Sequence, residues 1–163
     1  MAKLDLTGMT LEERMELARK TAQNYFREGL NCGECVMRTF LDMHDTGLPE
    51  EVICLVTGFG GGIGHTKNNC GAITGAVCSV GMVKGRRDPF ELDDMAARVE
   101  QLQKKIYPLF GSLATEIKGQ YGSTLCGEIS APFGDFDSRE RKLNCKKLIG
   151  DCAAIAEKYA FGE

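Results

Sequence analysis

The stretch that follows Asn69 reads as a helix with no polar face. Ala72, Ile73, Gly75, Ala76, Val77, Cys78 and Val80 make it apolar or small nearly all round. A helix patterned this way is buried on all sides, so other elements must surround it. None of those neighbours reads as a strand, because no alternating pattern of useful length occurs. The expected fold is therefore all-α, a single-domain helical bundle over residues 1–163 around a buried, small-residue-rich central helix. Gly71 and Gly75, like Gly81 and Gly85, stand four apart and let a neighbour's backbone come close.

The surrounding helices announce their ends. Thr10 caps the first, and Glu13 three residues later completes a capping box. Leu11, Met15, Ala18, Ala22, Tyr25 and Phe26 form its apolar stripe, and Gly29 ends it. Asn31 and Glu34 repeat the cap for a second helix with Val36, Phe40 and Leu41 inside. Pro49 suits the first turn of a short third helix burying Val52, Ile53, Leu55 and Val56. Asn69 caps the central helix. Asp88-Pro89-Phe90-Glu91 opens what reads as the longest helix, with Leu92, Met95, Val99, Leu102, Ile106 and Leu109 as its seam. Ser123 caps a short helix through Cys126, and residues 130–137 form a loop. The last helix runs to Tyr159, with Leu148, Cys152, Ile155 and Tyr159 on one face.

Charge and patterning exclude whole classes. A formal net charge of −3 gives no strong field for nucleic acid or acidic lipid. The longest uncharged stretch, 68–83, covers 16 residues, short of the roughly 20 apolar residues of a membrane span. The N-terminus lacks the apolar core of a secretory signal. A cytoplasmic location is the expectation, and there thiols are kept reduced. The eight cysteines then read as metal ligands or redox thiols and not as a disulfide framework.

Cys32, Cys70 and Cys145 each follow an asparagine, a strong N-cap residue, and Cys126 stands three residues after Ser123. All four can occupy first helical turns, where the positive end of the macrodipole lowers a thiol's pKa. Four such thiolates, if they converge, would hold an anionic iron–sulfur cluster. If residues 138–143 extend the last helix backwards, Cys145 leaves the first turn. Cys54, Cys78 and Cys152 fit the simpler role of buried core residues. Cys32 and Cys35 form one C-x-x-C. The second pair of a zinc ribbon is absent, and a c-type haem would need histidine where Val36 stands. The glycine run Gly58 to Gly64 matches no dinucleotide or phosphate-binding fingerprint. A backbone nest donating N–H groups to sulfur or an anion fits it better, and plain tight packing beside the central helix fits it equally well. His65, between that run and Cys70, reads as a surface residue or a proton relay. His44, Lys84 to Arg87 and the basic run Arg139 to Lys147 read as surface. No Ser-His-Asp arrangement or paired carboxylates stand out, so whether the chain is an enzyme stays open.

Cys70-Gly71-Ala72-Ile73-Thr74-Gly75 resembles the central signature of the C_GCAxxG_C_C family, described as redox-active proteins. In the family label the glycine precedes the cysteine; here Cys70 comes first. Asn31-Cys32 with Glu34, the glycine run, Leu125-Cys126-Gly127-Glu128, and Cys145 with Ala153, Ala154 and Ala156 resemble its other segments in order, over about residues 20–160. The resemblance implies a helical fold and redox activity resting on four cysteines. A related arrangement is that of the split-Soret cytochromes, which carry an iron–sulfur centre beside their haems; only the cluster could carry over here. The leading expectation is electron transfer or redox sensing. Cys32, Cys70, Cys126 and Cys145 would ligate an iron–sulfur cluster, most simply [2Fe–2S], with Gly60, Gly61, Gly62 and Gly71 around it. The alternatives are metal-free thiol–disulfide exchange through Cys32, Cys35 or Cys70, and structural zinc on the same four positions. Expected partners are a redox protein, such as a ferredoxin, and a second copy of the chain in a homodimer.

Overall fold

In a computed structural model, which describes residues 3–162, local chemistry sets most helix ends. Thr10 caps α1 (Leu11–Arg27) with the full capping box to Glu13. Asn31 does the same for α2 (Cys32–Met43), accepting from the N–H groups of Gly33 and Glu34. A 3₁₀ segment over Glu50–Phe59 follows, then α3 (Gly71–Lys84). Next come α4 (Met95–Gln101), a π segment (Leu102–Ile106) and α5 (Tyr107–Tyr121). The chain closes with α6 (Cys126–Ser130), a 3₁₀ turn (Ala131–Phe133) and α7 (Arg139–Phe161). The domain is all-α. Among the described residues the β pairing is one isolated bridge, Asn69 with Leu125, and no helix is long and apolar enough to cross a membrane.

Small residues decide how the helices meet. A Cβ at Gly75 of α3 would stand 2.8 Å from the Gly33 carbonyl oxygen and 3.1 Å from its Cα. Only hydrogen at both positions lets α2 and α3 touch backbone to backbone. Gly150 of α7 faces Gln23 and Arg19 of α1 equally tightly, beside the buried Ala18 and Ala22. The core is the bundle of α1, α2, α3 and α7, with α5 leaning on it through Leu113 and Ile117.

Several expectations about elements change. The central role is shared: α7 is buried on nearly every side from Leu148 to Glu157, while Val77 and Cys78 of α3 are partly open. The longest helix is α7. The segment opened by Asp88 becomes turns, and Asp94 caps α4 by accepting from the Ala97 N–H. The expected third helix is 3₁₀ and buries only Val56, leaving Leu55 in solvent. His44 is not at the surface. It is buried at the end of α2, 2.6 Å from a Glu157 carboxylate oxygen and packed between Phe40 and Phe161. Arg14 of α1 reaches the other Glu157 oxygen at 3.2 Å, so one buried carboxylate ties three helices.

Candidate functional site

Four segments distant in sequence meet at one tight cavity. Its lining includes Cys32, Cys70, Cys126 and Cys145, with Gly61, Gly62 and Gly71 between them. Each sulfur has a local reason to be there. Cys32 is the first residue of α2, and the Asn31 cap also ties that end to the Thr57 carbonyl at 2.8 Å. Cys70 and Cys126 are brought side by side by the short bridge. The Cys70 N–H donates to Thr124 O at 2.9 Å, and the Cys126 N–H to Asn68 O at 2.7 Å. Cys145 comes from the second turn of α7, because Ser138 caps that helix and Asn144 does not. Cys70 is itself the N-cap of α3, while Asn69 bonds Thr74. The first-turn placement thus holds for Cys32 and Cys126, shifts by one for Cys70 and fails for Cys145.

The floor of the cavity is backbone. From Gly61 to His65 five successive residues have φ between 57° and 74°, a left-handed turn. For Ile63 and His65 that conformation costs about 1–2 kcal/mol each. The cost is met by the close approach it permits: a Cβ at Gly62 would lie 2.7 Å from Cβ of Cys126, and one at Gly71 2.6 Å from the Phe59 carbonyl oxygen. Strain of this sort collects at functional sites. Gly60, expected here too, lies outside the lining and packs on Asn31.

Burial governs the thiols. It pushes Cys70 up to about 12, with the neighbouring Cys32 adding to the rise and the Ile73 and Ala72 N–H groups opposing it. Burial raises Cys145 to about 11, against the pull of Arg141. Cys32 is raised by burial and by Cys126, and lowered by the Gly61 N–H and Arg141. The lowered pKa expected from helix starts is overturned for these three, because loss of hydration outweighs the dipole. Cys35 is buried on the far side of the same helix turn, its thiol donating to Leu30 O at 3.5 Å, and does not line the cavity. Cys152 is fully buried in the core, as expected, whereas Cys54 is exposed and Cys78 half-buried.

One residue escaped the sequence reading. Arg141, inside the basic run, is 9% exposed. Its Nη2 stands 3.9 Å from the Cys126 sulfur, Nε donates to Ser130 Oγ at 3.3 Å, and Nη1 donates to Phe136 O at 3.0 Å. The guanidinium lies 3.6 Å from the Phe136 ring centroid. Among the described residues no carboxylate pairs with it. The signal was its place four residues before Cys145, one turn along the same helix face, but the other cations of Arg139–Lys147 hid it. His65 is exposed and meets Phe136 edge-on, with Lys67 over the same ring. Among the described residues no three His, Cys, Asp or Glu side chains close in on the position of a single metal ion.

A family model described as "Putative redox-active protein (C_GCAxxG_C_C)" matches residues 30–159. The chain belongs to this family. The match contains every cysteine of the chain, the left-handed turn and Arg141. No curated protein and no solved structure matches the chain. Cys32, Cys70, Cys126 and Cys145, which line the cavity, all lie within the matched residues.

Proposed function

We propose that this redox-active family member carries an iron–sulfur cluster held by Cys32, Cys70, Cys126 and Cys145, and serves electron transfer or redox sensing. The observation that carries the reading is Arg141: a buried cation with no carboxylate partner among the described residues, facing four converging cysteines. A buried charge needs a counter-charge. Burial holds Cys32, Cys70 and Cys145 in the protonated form, so these three supply none. Metal coordination deprotonates thiols outright, and four thiolates on an iron–sulfur core would give Arg141 its counter-ion. The four cysteines line one cavity, and a polynuclear core would draw its ligands from around it.

When bound, such a cluster would supply one-electron chemistry. The chain's own part is to fix four sulfurs from α2, α3, α6 and α7. It keeps water away by burying Cys70, Cys126 and Cys145. It brings the backbone of Gly61, Gly62 and Gly71 close, and it offsets negative charge with Arg141. The raised thiols also weigh against metal-free exchange, since a buried protonated thiol is a poor nucleophile.

The test is an absorption spectrum with iron and acid-labile sulfide analysis on anaerobically purified protein. The expected result is visible bands that bleach with dithionite, matched iron and sulfide, and loss of both in Cys126→Ser but not in Cys54→Ser. A colourless chain that resists reconstitution, or one holding zinc alone, would overturn the reading.

A further inference from the structure

The cations of the run Arg139 to Lys147 have different fates. Arg141 turns inward to the cysteines, and Lys147 pairs with Asp151 at 3.9 Å. Arg139, Lys142 and Lys146 enter no ion pair among the described residues. They line one open groove together with Arg27, from the last turn of α1. The groove's apolar side chains are Phe26, half-buried, and Leu143, 56% exposed. Its one acid is Asp137. On a chain of net charge −3 this excess of cations is local.

Helix physics disfavours the placement. The start of a helix carries partial positive charge and favours acids. Accordingly α1 opens with Glu12 and Glu13 and ends with Arg27. In contrast, α7 opens with Arg139, Arg141 and Lys142 and a single acid, Glu140. Arg141 serves the cysteine cavity. Arg139 and Lys142 have no carboxylate in the fold to offset the repulsion, so the arrangement fits an anion from outside.

The groove also adjoins the cysteines. Each helical residue turns the chain by about 100°, so Cys145 stands about 60° round the axis of α7 from Lys142 and about 100° from Lys146. One flank of α7 faces the cavity and the next faces the groove. An apolar centre ringed by charge is the anatomy of a contact between proteins. Unpaired surface cations speed the approach of an acidic partner.

We infer that this groove docks an acidic iron–sulfur electron-carrier protein. Its carboxylates meet Arg27, Arg139, Lys142 and Lys146, while Phe26 and Leu143 take its apolar contact. The inference rests on the cluster reading for what crosses the interface. One electron leaves the carrier's reduced centre, which is oxidised, and reduces the cluster, with no bond made or broken. Docking itself needs no cluster in this chain.

The test takes a purified plant-type [2Fe–2S] ferredoxin as the acidic probe and measures its binding to the full chain by calorimetry, from about 20 to about 200 mM salt. The expected result is binding at low salt that weakens steeply as salt rises. Lys142→Glu with Lys146→Glu should weaken it at least roughly tenfold. Lys104→Glu with Lys105→Glu, the same change of charge on another surface, should change it by about twofold at most. Thermal melts check that each variant folds; where the half-buried Lys146 site disturbs the fold, Arg139→Gln with Lys142→Gln repeats the test on exposed positions. No binding at about 20 mM salt overturns the inference. So does binding that both lysine pairs weaken alike, or a preference of the same lysines for anionic phospholipid vesicles or duplex DNA over the ferredoxin. Dithionite bleaching reports on the cluster separately. A chain that bleaches but ignores the ferredoxin refutes the docking alone, and one that binds the ferredoxin through the two lysines but cannot be bleached refutes the cluster alone.

Discussion

Arg141 and Cys126 form the closest contact between a charged side chain and a sulfur of the site, Nη2 to Sγ at 3.9 Å. The two come from α7 and from the start of α6. They are held in register by Ser130 and by the carbonyl of Phe136, both of which bind the same guanidinium.

Removing that charge should change redox behaviour without unfolding the chain. A unit charge about 8 Å away at an effective dielectric near 20 is worth about 2 kcal/mol. If the four cysteines hold the cluster proposed above, Arg141→Met is expected to lower its reduction potential by roughly 50–100 mV, because the more negative reduced state loses its counter-charge. Exposed Arg139→Met should leave the potential where it was. Spectroelectrochemical titration of the two variants checks both.

Glycine substitutions should split by environment. At Gly75 a methyl group meets the Gly33 backbone and Val36. Gly75→Ala is expected to destabilise by about 1–3 kcal/mol through overpacking between α2 and α3. At Gly111, inside α5, an added methyl group would have nothing within 4 Å. Gly111→Ala should stabilise by about 0.5–1 kcal/mol through helix propensity. Urea unfolding of the two variants against the parent gives both signs.

Alkaline pH should weaken the fold through two hydrogen-bonded tyrosines. Burial and the bond to Asp42 at 2.5 Å push Tyr25 up to about 12. Burial and the bond to Glu116 at 2.8 Å do the same for Tyr159. The folded state therefore favours the protonated phenol. The stability it contributes is fully present below the ordinary value of 10.0 and is lost as pH rises from there through about 12. Tyr25→Phe and Tyr159→Phe should flatten this decline. Thermal melts between those limits, with tyrosinate absorbance followed in parallel, measure it.

Much of the helical architecture was legible because its causes are local. Thr10 with Glu13, and Asn31 with Glu34, satisfy orphan N–H groups within one turn, so four residues suffice to read them. The all-round apolar pattern of α3 marked a central helix. The four site cysteines were legible as an ordered set. Harder to read were features that depend on residues far apart. Cys70 as its own cap and the pairing of Asn69 with Leu125 need the loop before α3 to meet the start of α6. The π turn also hid in the sequence, since Leu92 to Leu109 keeps an unbroken helical spacing through it.

The sequence by itself determined the class of fold, the helix starts that rest on side-chain caps, and which four cysteines could act together, since each is a matter of neighbours within a turn or of order along the chain. Tertiary structure alone decided the rest. It buried Arg141 against sulfur while the cations around it stayed in water, raised thiols that a helix start would have lowered, and drew His44 onto Glu157. Burial, and the partner a buried charge must find, depend on elements distant in sequence, and no local pattern encodes them.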